Sequence, residues 1–142
     1  MSSNGSLKRV AFIVNLLAKS KGFDNMFSTL NVVAATRNKV TAEYVVKNEH
    51  CNNHGTLHGG FTATAVDFMT SIALMMDEED SRSGVSLNLT VNYLKALKVG
   101  EKVTVEGEVL RKGRSVAYTT ARIFNEKGDL AAHGTHIKHL GQ

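Results

Sequence analysis

The sequence has no proline, one cysteine and no long apolar run. A single cysteine excludes an intrachain disulfide and fits a reducing compartment, so the cytoplasm is the default location. The longest mixed run, Phe61–Met76, contains Asp67 and three threonines, and it is shorter than the roughly 18–20 residues of a membrane span. Integral membrane association is therefore not expected.

Two catalytic signatures are also missing. There is no Gly-x-Ser-x-Gly motif, which argues against a serine nucleophile on a strand-to-helix turn. No Gly-Lys-Ser/Thr follows the glycines at 55, 59 and 60, so they do not form a phosphate loop. Cys51 adjoins His50, but neighbours in sequence rarely align as nucleophile and base, which favours an ordinary loop cysteine.

The charge balance is mildly basic, with 17 Lys and Arg against 13 Asp and Glu. A net charge of +4 fits nucleic acid, a membrane surface or a small phosphorylated ligand, and is too small to choose between them. Residues 6–21 are basic, lack acidic residues and have apolar positions at helical spacing. This segment is either a mitochondrial presequence or a docking helix of the folded domain, and its apolar stripe favours docking.

The remaining pattern predicts one domain over residues 1–142, with an N-terminal helical segment at 1–22. A first helix is expected at about Ser6–Lys21 and a second, almost wholly apolar and buried, at His58–Asp77. Period-two alternation, as at Val85, Leu87, Leu89 and Val91, predicts strands with one buried face. The six expected strands are Phe27–Ala35, Val40–Val46, Gly84–Leu94, Lys102–Leu110, Ser115–Phe124 and Leu130–Leu140. The order predicts an α+β fold, an antiparallel sheet of about six strands around the second helix.

The stretch Asn52–Asp67 concentrates the chemistry-bearing residues. A polar loop rich in Asn, His and Gly runs into the N-terminus of the second helix, where unpaired N–H groups and the helix dipole suit an anion or a polarised carbonyl oxygen. Asp67 is an isolated carboxylate among apolar residues of that helix. Because an unpaired buried carboxylate is costly, Asp67 is either paired structurally or poised as a base.

The spacing on this helix separates the two features. Asp67 lies nine residues beyond His58, which is about 13–14 Å at 1.5 Å per residue. Asp67 therefore does not reach a group bound at the amides of Gly59 and Gly60 of its own chain. If both features serve one reaction, two subunits supply them and the site lies at a dimer interface.

Two sets of histidines were considered as metal sites or ligand contacts. His-x-x-x-His converges only on a helix, and Asn and Gly between His50, His54 and His58 disfavour one, so no metal site is expected. On a strand, His133 and His139 share a face that His136 does not. The sequence leaves open whether they are polar residues of a partly exposed strand or whether one contacts a ligand.

The pattern Asn52, Gly55-Thr56-Leu57-His58-Gly59-Gly60 and Asp67 resembles the hotdog-fold acyl-CoA thioesterases of the phenylacetate-degradation type. The similarity extends through Gly84-Val85-Ser86 to the ending His136–Gly141. It implies a hotdog fold, a homo-oligomer arranged as a dimer of dimers, acyl-CoA as substrate, and no nucleic-acid partner. No separate cofactor is implied, since CoA is part of the substrate.

The resemblance also implies site residues. Asp67 would be the general base or nucleophile, the Gly59 amide would hold the thioester oxygen, and Asn52 would position water or the acyl carbonyl. Ser86 would orient water, and His58 would shape the loop near the thioester. The residues implied to line CoA are Ser86, Tyr93, Arg111, Lys112, Gly113, Arg114, Ser115 and His139.

The resemblance therefore implies hydrolysis of medium- or long-chain fatty acyl-CoA, with Phe61, Phe68 and Met69 in the tunnel wall. A non-catalytic acyl-CoA-binding or scaffold protein remains an alternative, as does a hotdog-fold hydratase or dehydratase.

Overall fold

A computed structural model describes residues 3–141. Within that range the chain forms two α-helices, two short 3-10 helices and one six-stranded sheet, which confirms the predicted α+β class. Residues 1 and 2 of the predicted segment 1–22 lie outside this range. The helices are α1 (Ser3–Ala18) and α2 (Gly59–Met75), and the 3-10 helices are Phe23–Phe27 and Asn48–His50. The strands are β1 (Asn31–Ala35), β2 (Lys39–Val45), β3 (Val85–Tyr93), β4 (Lys102–Lys112), β5 (Val116–Phe124) and β6 (Leu130–His139).

The sheet order is β1-β2-β4-β5-β6-β3, with every neighbouring pair antiparallel. The apolar helix α2 packs on this sheet, and two glycines allow its close approach. A Cβ on Gly107 of β4 would lie 2.5 Å from the Met69 carbonyl oxygen, and one on Gly134 of β6 would lie 2.6 Å from Val66 Cγ1. A long buried helix wrapped by the sheet is the arrangement that the hotdog prediction requires.

Helix α1 docks on the domain through its apolar stripe. Val10, Ile13, Val14 and Ala18 are buried, and the Arg9 guanidinium donates two hydrogen bonds, of 2.7 and 3.2 Å, to the Met75 carbonyl at the end of α2. The helix begins and ends three residues earlier than predicted. It ends where the Asn25 side-chain amide donates to the Ala18 carbonyl at 3.0 Å, upstream of the predicted end at Lys21. Among residues 3–141, no helix is long and apolar enough to cross a membrane.

The predicted strand Phe27–Ala35 is wrong in its first half. Phe27 ends a 3-10 helix, and its buried ring lies 5.2 Å from Phe61 and 4.4 Å from Phe68, measured between ring centroids. Only Asn31–Ala35 pairs with β2. An apolar run with β propensity does not distinguish a strand from a turn that inserts an aromatic ring into the core.

The expectation that β3 buries one face is also wrong within one chain. β3 is an edge strand, and its apolar side chains are exposed, with Leu87 at 59% and Leu89 at 37%. The prediction assumed that alternation alone implies a covering layer. In a single chain nothing covers these side chains, and the outer edge of β3 has no neighbouring strand within residues 3–141.

Candidate active site

The loop before α2 is organised by its own polar side chains. The Asn52 side-chain oxygen Oδ1 accepts from the backbone amides of His54 and Thr56 at 2.9 and 3.2 Å, and the side-chain NH₂ donates to Thr56 Oγ1 at 2.9 Å. Gly55 adopts φ +75°, which lets the loop reverse. Asn52 therefore shapes this loop, and its contact with water or substrate stays a prediction.

His58 is the N-cap of α2. Its Nδ1 accepts the Gly60 amide at 2.8 Å, which satisfies one of the free donors at the helix start. His50 ends a 3-10 helix and His54 lies in the loop, so the three histidines at four-residue spacing do not share a helix face. The cap explains why a histidine precedes the glycine pair.

Gly59 keeps its amide available. Among the described residues, no group accepts from the Gly59 N–H, while the Tyr93 hydroxyl donates to the Gly59 carbonyl at 2.8 Å. The Tyr93 ring lies 3.4 Å from the place where a Gly59 side chain would begin. The structure thus leaves the Gly59 donor unpaired, at the N-terminal end of the α2 dipole and close to an aromatic ring.

Asp67 lies beside a hydrogen-bonded imidazole. His136 is fully buried on β6, with its Nδ1 3.8 Å from Asp67 Oδ1 and 2.8 Å from Thr70 Oγ1. Its Nε2 lies 2.7 Å from Ser86 Oγ on β3. The Asp67 side chain is 46% exposed in one chain, so this carboxylate is open to solvent rather than sealed in the core.

The hydrogen bonds assign the His136 tautomer. The Thr70 hydroxyl proton points to the Val66 carbonyl at 2.8 Å, so Thr70 Oγ1 accepts from His136 Nδ1–H. The carboxylate of Asp67 near Nδ1 favours the same assignment. Burial lowers the pKa of His136, and this is the largest influence on that pKa. The neutral ring then accepts the Ser86 proton at Nε2, which leaves the Ser86 oxygen lone pairs free to accept from water.

A buried lysine lies next to this cluster. Lys138 of β6 is 4% exposed, and its ammonium group donates to Ser71 Oγ. Ser71 in turn donates to Asp67 Oδ1 at 3.4 Å. Burial lowers the pKa of Lys138, while the carboxylates of Asp67 and Asp24 oppose that effect.

The β4–β5 hairpin lies elsewhere. Arg114 and Ser115 line a cavity of about 690 Å³ together with Arg82 and Gly141. Lys112 instead turns inward, where it donates to the Asp80 carbonyl and pairs with the Asp80 carboxylate at 3.5 Å.

The remaining CoA-lining predictions divide between the two ends of β3. His139 pairs with Val85 at one end of β3, and Tyr93 lies at the other, beside Gly59. Arg111 is exposed near the end of β4 and Gly113 begins the turn. One chain therefore does not bring Tyr93 together with the hairpin and His139.

An apolar cavity of about 480 Å³ adjoins the start of α2. Its lining includes Phe23, Met26, Phe61 and Thr64, beside His58 and Gly60. Phe68 and Met69, also predicted for the acyl tunnel, are buried in the core and do not line this cavity.

The sequence predicted no role for Lys138 or Arg82, and it left open whether His136 is a polar strand residue or a ligand contact. A usable signal existed for His136 and Lys138, because alternate positions from Ala132 to Leu140 are buried and include both residues. Ala132, Gly134 and Leu140 mark that face as the inner one. Arg82 lies in a loop where no pattern points to the cavity.

The six-stranded antiparallel sheet with the long helix α2 packed on it defines a hotdog domain, and comparisons with known proteins agree. The thioesterase superfamily profile matches residues 54–132. Human acyl-coenzyme A thioesterase 13 is 36% identical over 130 residues, which cover 91% of this chain and 92% of the human protein. The crystal structure of zebra fish thioesterase superfamily member 2 is 40% identical with a TM-score of 0.91, covering 96% of this chain and 99% of that one.

A third similar structure was determined with coenzyme A. This hypothetical thioesterase protein from Streptococcus pneumoniae is 25% identical, with a TM-score of 0.77, and covers 82% of this chain and 89% of that one. The chain belongs to the thioesterase superfamily. It is accordingly an enzyme of the thioester hydrolase class.

Proposed function

We propose that this protein hydrolyses acyl-CoA to a free acid and CoA, at a site shared between two subunits. One observation carries the proposal. Helix α2 has an unpaired amide at its first residue, Gly59, and about 12 Å further along it has a carboxylate, Asp67, beside His136 and Ser86. The first feature suits a developing oxyanion and the second suits an attacking water.

In the proposed reaction Asp67 acts first as a base and then as an acid. A water donates one hydrogen bond to Ser86 Oγ and one to Asp67, which takes its proton as the water oxygen attacks the thioester carbonyl carbon. The Gly59 N–H and the α2 dipole stabilise the negative charge on the carbonyl oxygen. The C–S bond then breaks, and Asp67 returns the proton to the departing CoA sulfur.

The exposed edge of β3 supports the shared site. Its unpaired backbone groups and the exposed Leu87 and Leu89 suit antiparallel pairing with the β3 of a second copy. Such pairing sets the Tyr93 end of one strand against the Val85 end of the other. Gly59 of one chain then lies near the partner's Ser86 and the partner's Asp67. The arrangement of two such dimers as a dimer of dimers stays a prediction.

The same pairing would bring together the residues that are proposed to bind CoA. Tyr93 would meet the end of the partner that carries the β4–β5 hairpin and His139. The cavity lined by Arg82, Arg114 and Ser115 supplies cationic and hydroxyl groups for the CoA phosphates. For the acyl group we propose the cavity lined by Phe23, Met26 and Phe61, whose apolar lining suits medium or long fatty chains.

The proposed oxyanion donor has a direct test. Gly59→Pro removes the N–H at the first position of α2, where proline fits a helix, and His58 already has the ψ of 133° that precedes a proline comfortably. Loss of one oxyanion donor costs about 10²–10³ in kcat. Gly59→Ala is the matched control, because it adds the same Cβ against Tyr93 and keeps the N–H.

Turnover of butyryl-, octanoyl- and palmitoyl-CoA, followed by thiol release, provides the measurement. We expect Gly59→Ala to stay within a few fold of wild type and Gly59→Pro to lose most activity with all three substrates. Equal losses in the two variants would contradict the assignment of the amide. Binding of acyl-CoA by the wild type without thiol release would favour a binding or scaffold protein. Hydration of an enoyl-CoA would favour a hydratase.

A further inference from the structure

Lys138 is a buried cation whose position is not explained by packing. It lies on the inner face of β6, 4% exposed, against helix α2. Burying an ammonium group is costly unless hydrogen bonds and an opposite charge compensate it. Ala132 and Gly134 of β6, and Leu140 just after it, share this inner face with His136, so an apolar residue would be the ordinary choice at 138.

The hydrogen bonds around Lys138 run in one direction. An ammonium group has donors only, so Lys138 Nζ donates to Ser71 Oγ. The Ser71 hydroxyl has one proton, and it points to Asp67 Oδ1 at 3.4 Å. Ser71 lies one turn after Asp67 on α2, which places the hydroxyl between the cation and the carboxylate.

The charged groups around Asp67 come from three elements. His136 and Lys138 approach it from β6, and Asp24 lies nearby on the first 3-10 helix. His136 is neutral in the tautomer assigned above, and Asp24 repels the Asp67 charge. Of the groups in the described chain that act on Asp67, Lys138 is therefore the one that supplies positive charge.

We propose that Lys138, acting through Ser71, is a positioning residue that fixes the direction of the Asp67 carboxylate. The inference rests on the proposed role of Asp67. Ser71 binds Oδ1 on the side of α2 that faces β6, and the half-exposed remainder of the carboxylate is left for water. Without the relay, the Asp67 side chain would rotate among its rotamers.

Two variants remove the relay at different points. Lys138→Met keeps an apolar stem of similar length and removes the charge, while Ser71→Ala keeps the charge and removes the connection. We expect each to lower kcat about tenfold and to leave KM within about twofold. Because both act on one chain of hydrogen bonds, the double variant should be no worse than the more impaired single variant.

Lys39→Met is the matched control. Lys39 is also a partly buried lysine in an ion pair, 3.4 Å from Glu106, but it lies on β2 away from Asp67. Its removal should leave kcat and KM unchanged. Lower stability of Lys138→Met with an unchanged kcat, or additive losses in the double variant, would overturn the inference and leave Lys138 a structural residue.

A second readout does not require turnover. The side-chain carboxyl ¹³C resonance of Asp67, identified by its loss in Asp67→Asn, should change its chemical shift in Lys138→Met and in Ser71→Ala and keep it in Lys39→Met, all compared at one pH. An unchanged chemical shift in the first two variants would overturn the inference even if hydrolysis were normal. Failure of the proposed function looks different, because wild type itself would then release no thiol while the resonance still reported on the relay.

Discussion

His136 shows how the site depends on a single buried ring. The imidazole connects Thr70 of α2 with Ser86 of β3, and its Nδ1 lies 3.8 Å from Asp67. A neutral ring with the proton on Nδ1 turns the Ser86 hydroxyl so that its oxygen accepts from water. A protonated ring would donate from both nitrogens and reverse that bond. The orientation of the proposed attacking water thus depends on the charge of a residue that does not touch substrate.

The same ring gives the protein a predicted pH dependence of stability. Burial lowers the folded-state pKa of His136 below the ordinary value of 6.5. The unfolded chain then binds more protons, so the stability present above pH 6.5 is lost as the pH falls through the folded-state pKa. We expect the free energy of unfolding to decrease below about pH 6.5, measured by urea denaturation at several pH values.

His136→Gln isolates this contribution, since it keeps a polar group toward Ser86 but does not titrate. Burial also lowers the pKa of His50, which acts in the same pH range, so the comparison is the difference in slope between wild type and the variant. The variant should be less stable at pH 7.5 but show a shallower decline in acid. A parallel decline in both proteins would contradict the assigned role of His136.

At the scale of elements, the close packing of α2 on the sheet determines where Asp67 lies. Gly107 lies opposite Met69 and Gly134 lies opposite Val66. These two residues of α2 lie on either side of Asp67 in the sequence. The absence of side chains at these glycines brings the helix close enough for His136 of β6 to reach Asp67. Side chains there would lift the helix from the sheet and separate the two halves of the cluster.

We therefore predict that Gly134→Ala destabilises the fold by about 1–3 kcal/mol, the typical cost of overpacking a core. The added Cβ would lie 2.6 Å from a Val66 methyl carbon. In a Val66→Ala background the same substitution should cost much less, because the clashing methyl groups are gone. The free energies of unfolding of wild type, the two single variants and the double variant, measured by thermal or urea unfolding, provide the double-mutant cycle.

Gly107→Ala serves as the contrasting case. Its Cβ would lie 2.5 Å from a backbone oxygen, that of Met69, and no side-chain truncation removes that contact. Rescue of Gly134→Ala by Val66→Ala, together with no rescue of Gly107→Ala, is the expected pattern. Equal costs of Gly134→Ala in both backgrounds would show that the Val66 contact does not limit the approach of α2.

At the scale of the whole molecule, the two halves of the proposed site lie at opposite ends of the edge strand β3. Gly59 and Tyr93 lie at one end of β3, while Ser86 lies at the other end with His136 and Asp67. The exposed Leu87 and Leu89 on β3 lie between them. A second copy paired along this edge would bury the leucines and complete both sites.

Subunit mixing tests this arrangement. Gly59→Pro and Asp67→Asn should each be inactive alone, but a co-expressed mixture should recover about one quarter of wild-type activity, because half the dimers of a random two-fold assembly contain one intact site. Tandem affinity tags on the two chains would isolate the mixed species for assay. A chain that carries both substitutions, mixed with an untagged copy of the same double variant, should recover no activity.

Leu89→Lys on both chains offers an independent check. A charge on the proposed interface should shift the protein toward monomer in analytical ultracentrifugation, with loss of thioester hydrolysis although Asp67 and Gly59 are intact. A fully active monomer would contradict a shared site.

The sequence alone determined the elements and the family. Alternation and helical spacing predicted the six strands and the buried helix, and the pattern from Asn52 to Asp67 located the catalytic candidates, because period and turn chemistry are local properties. The separation of Gly59 from Asp67 also followed from helix rise alone. Only the tertiary structure placed His136 and Lys138 beside Asp67, turned Lys112 inward and left β3 exposed. Those features depend on which strands become neighbours and which faces stay uncovered. The contacts of His136 and Lys138 with α2 join residues more than sixty positions apart, and a local sequence period does not predict such contacts.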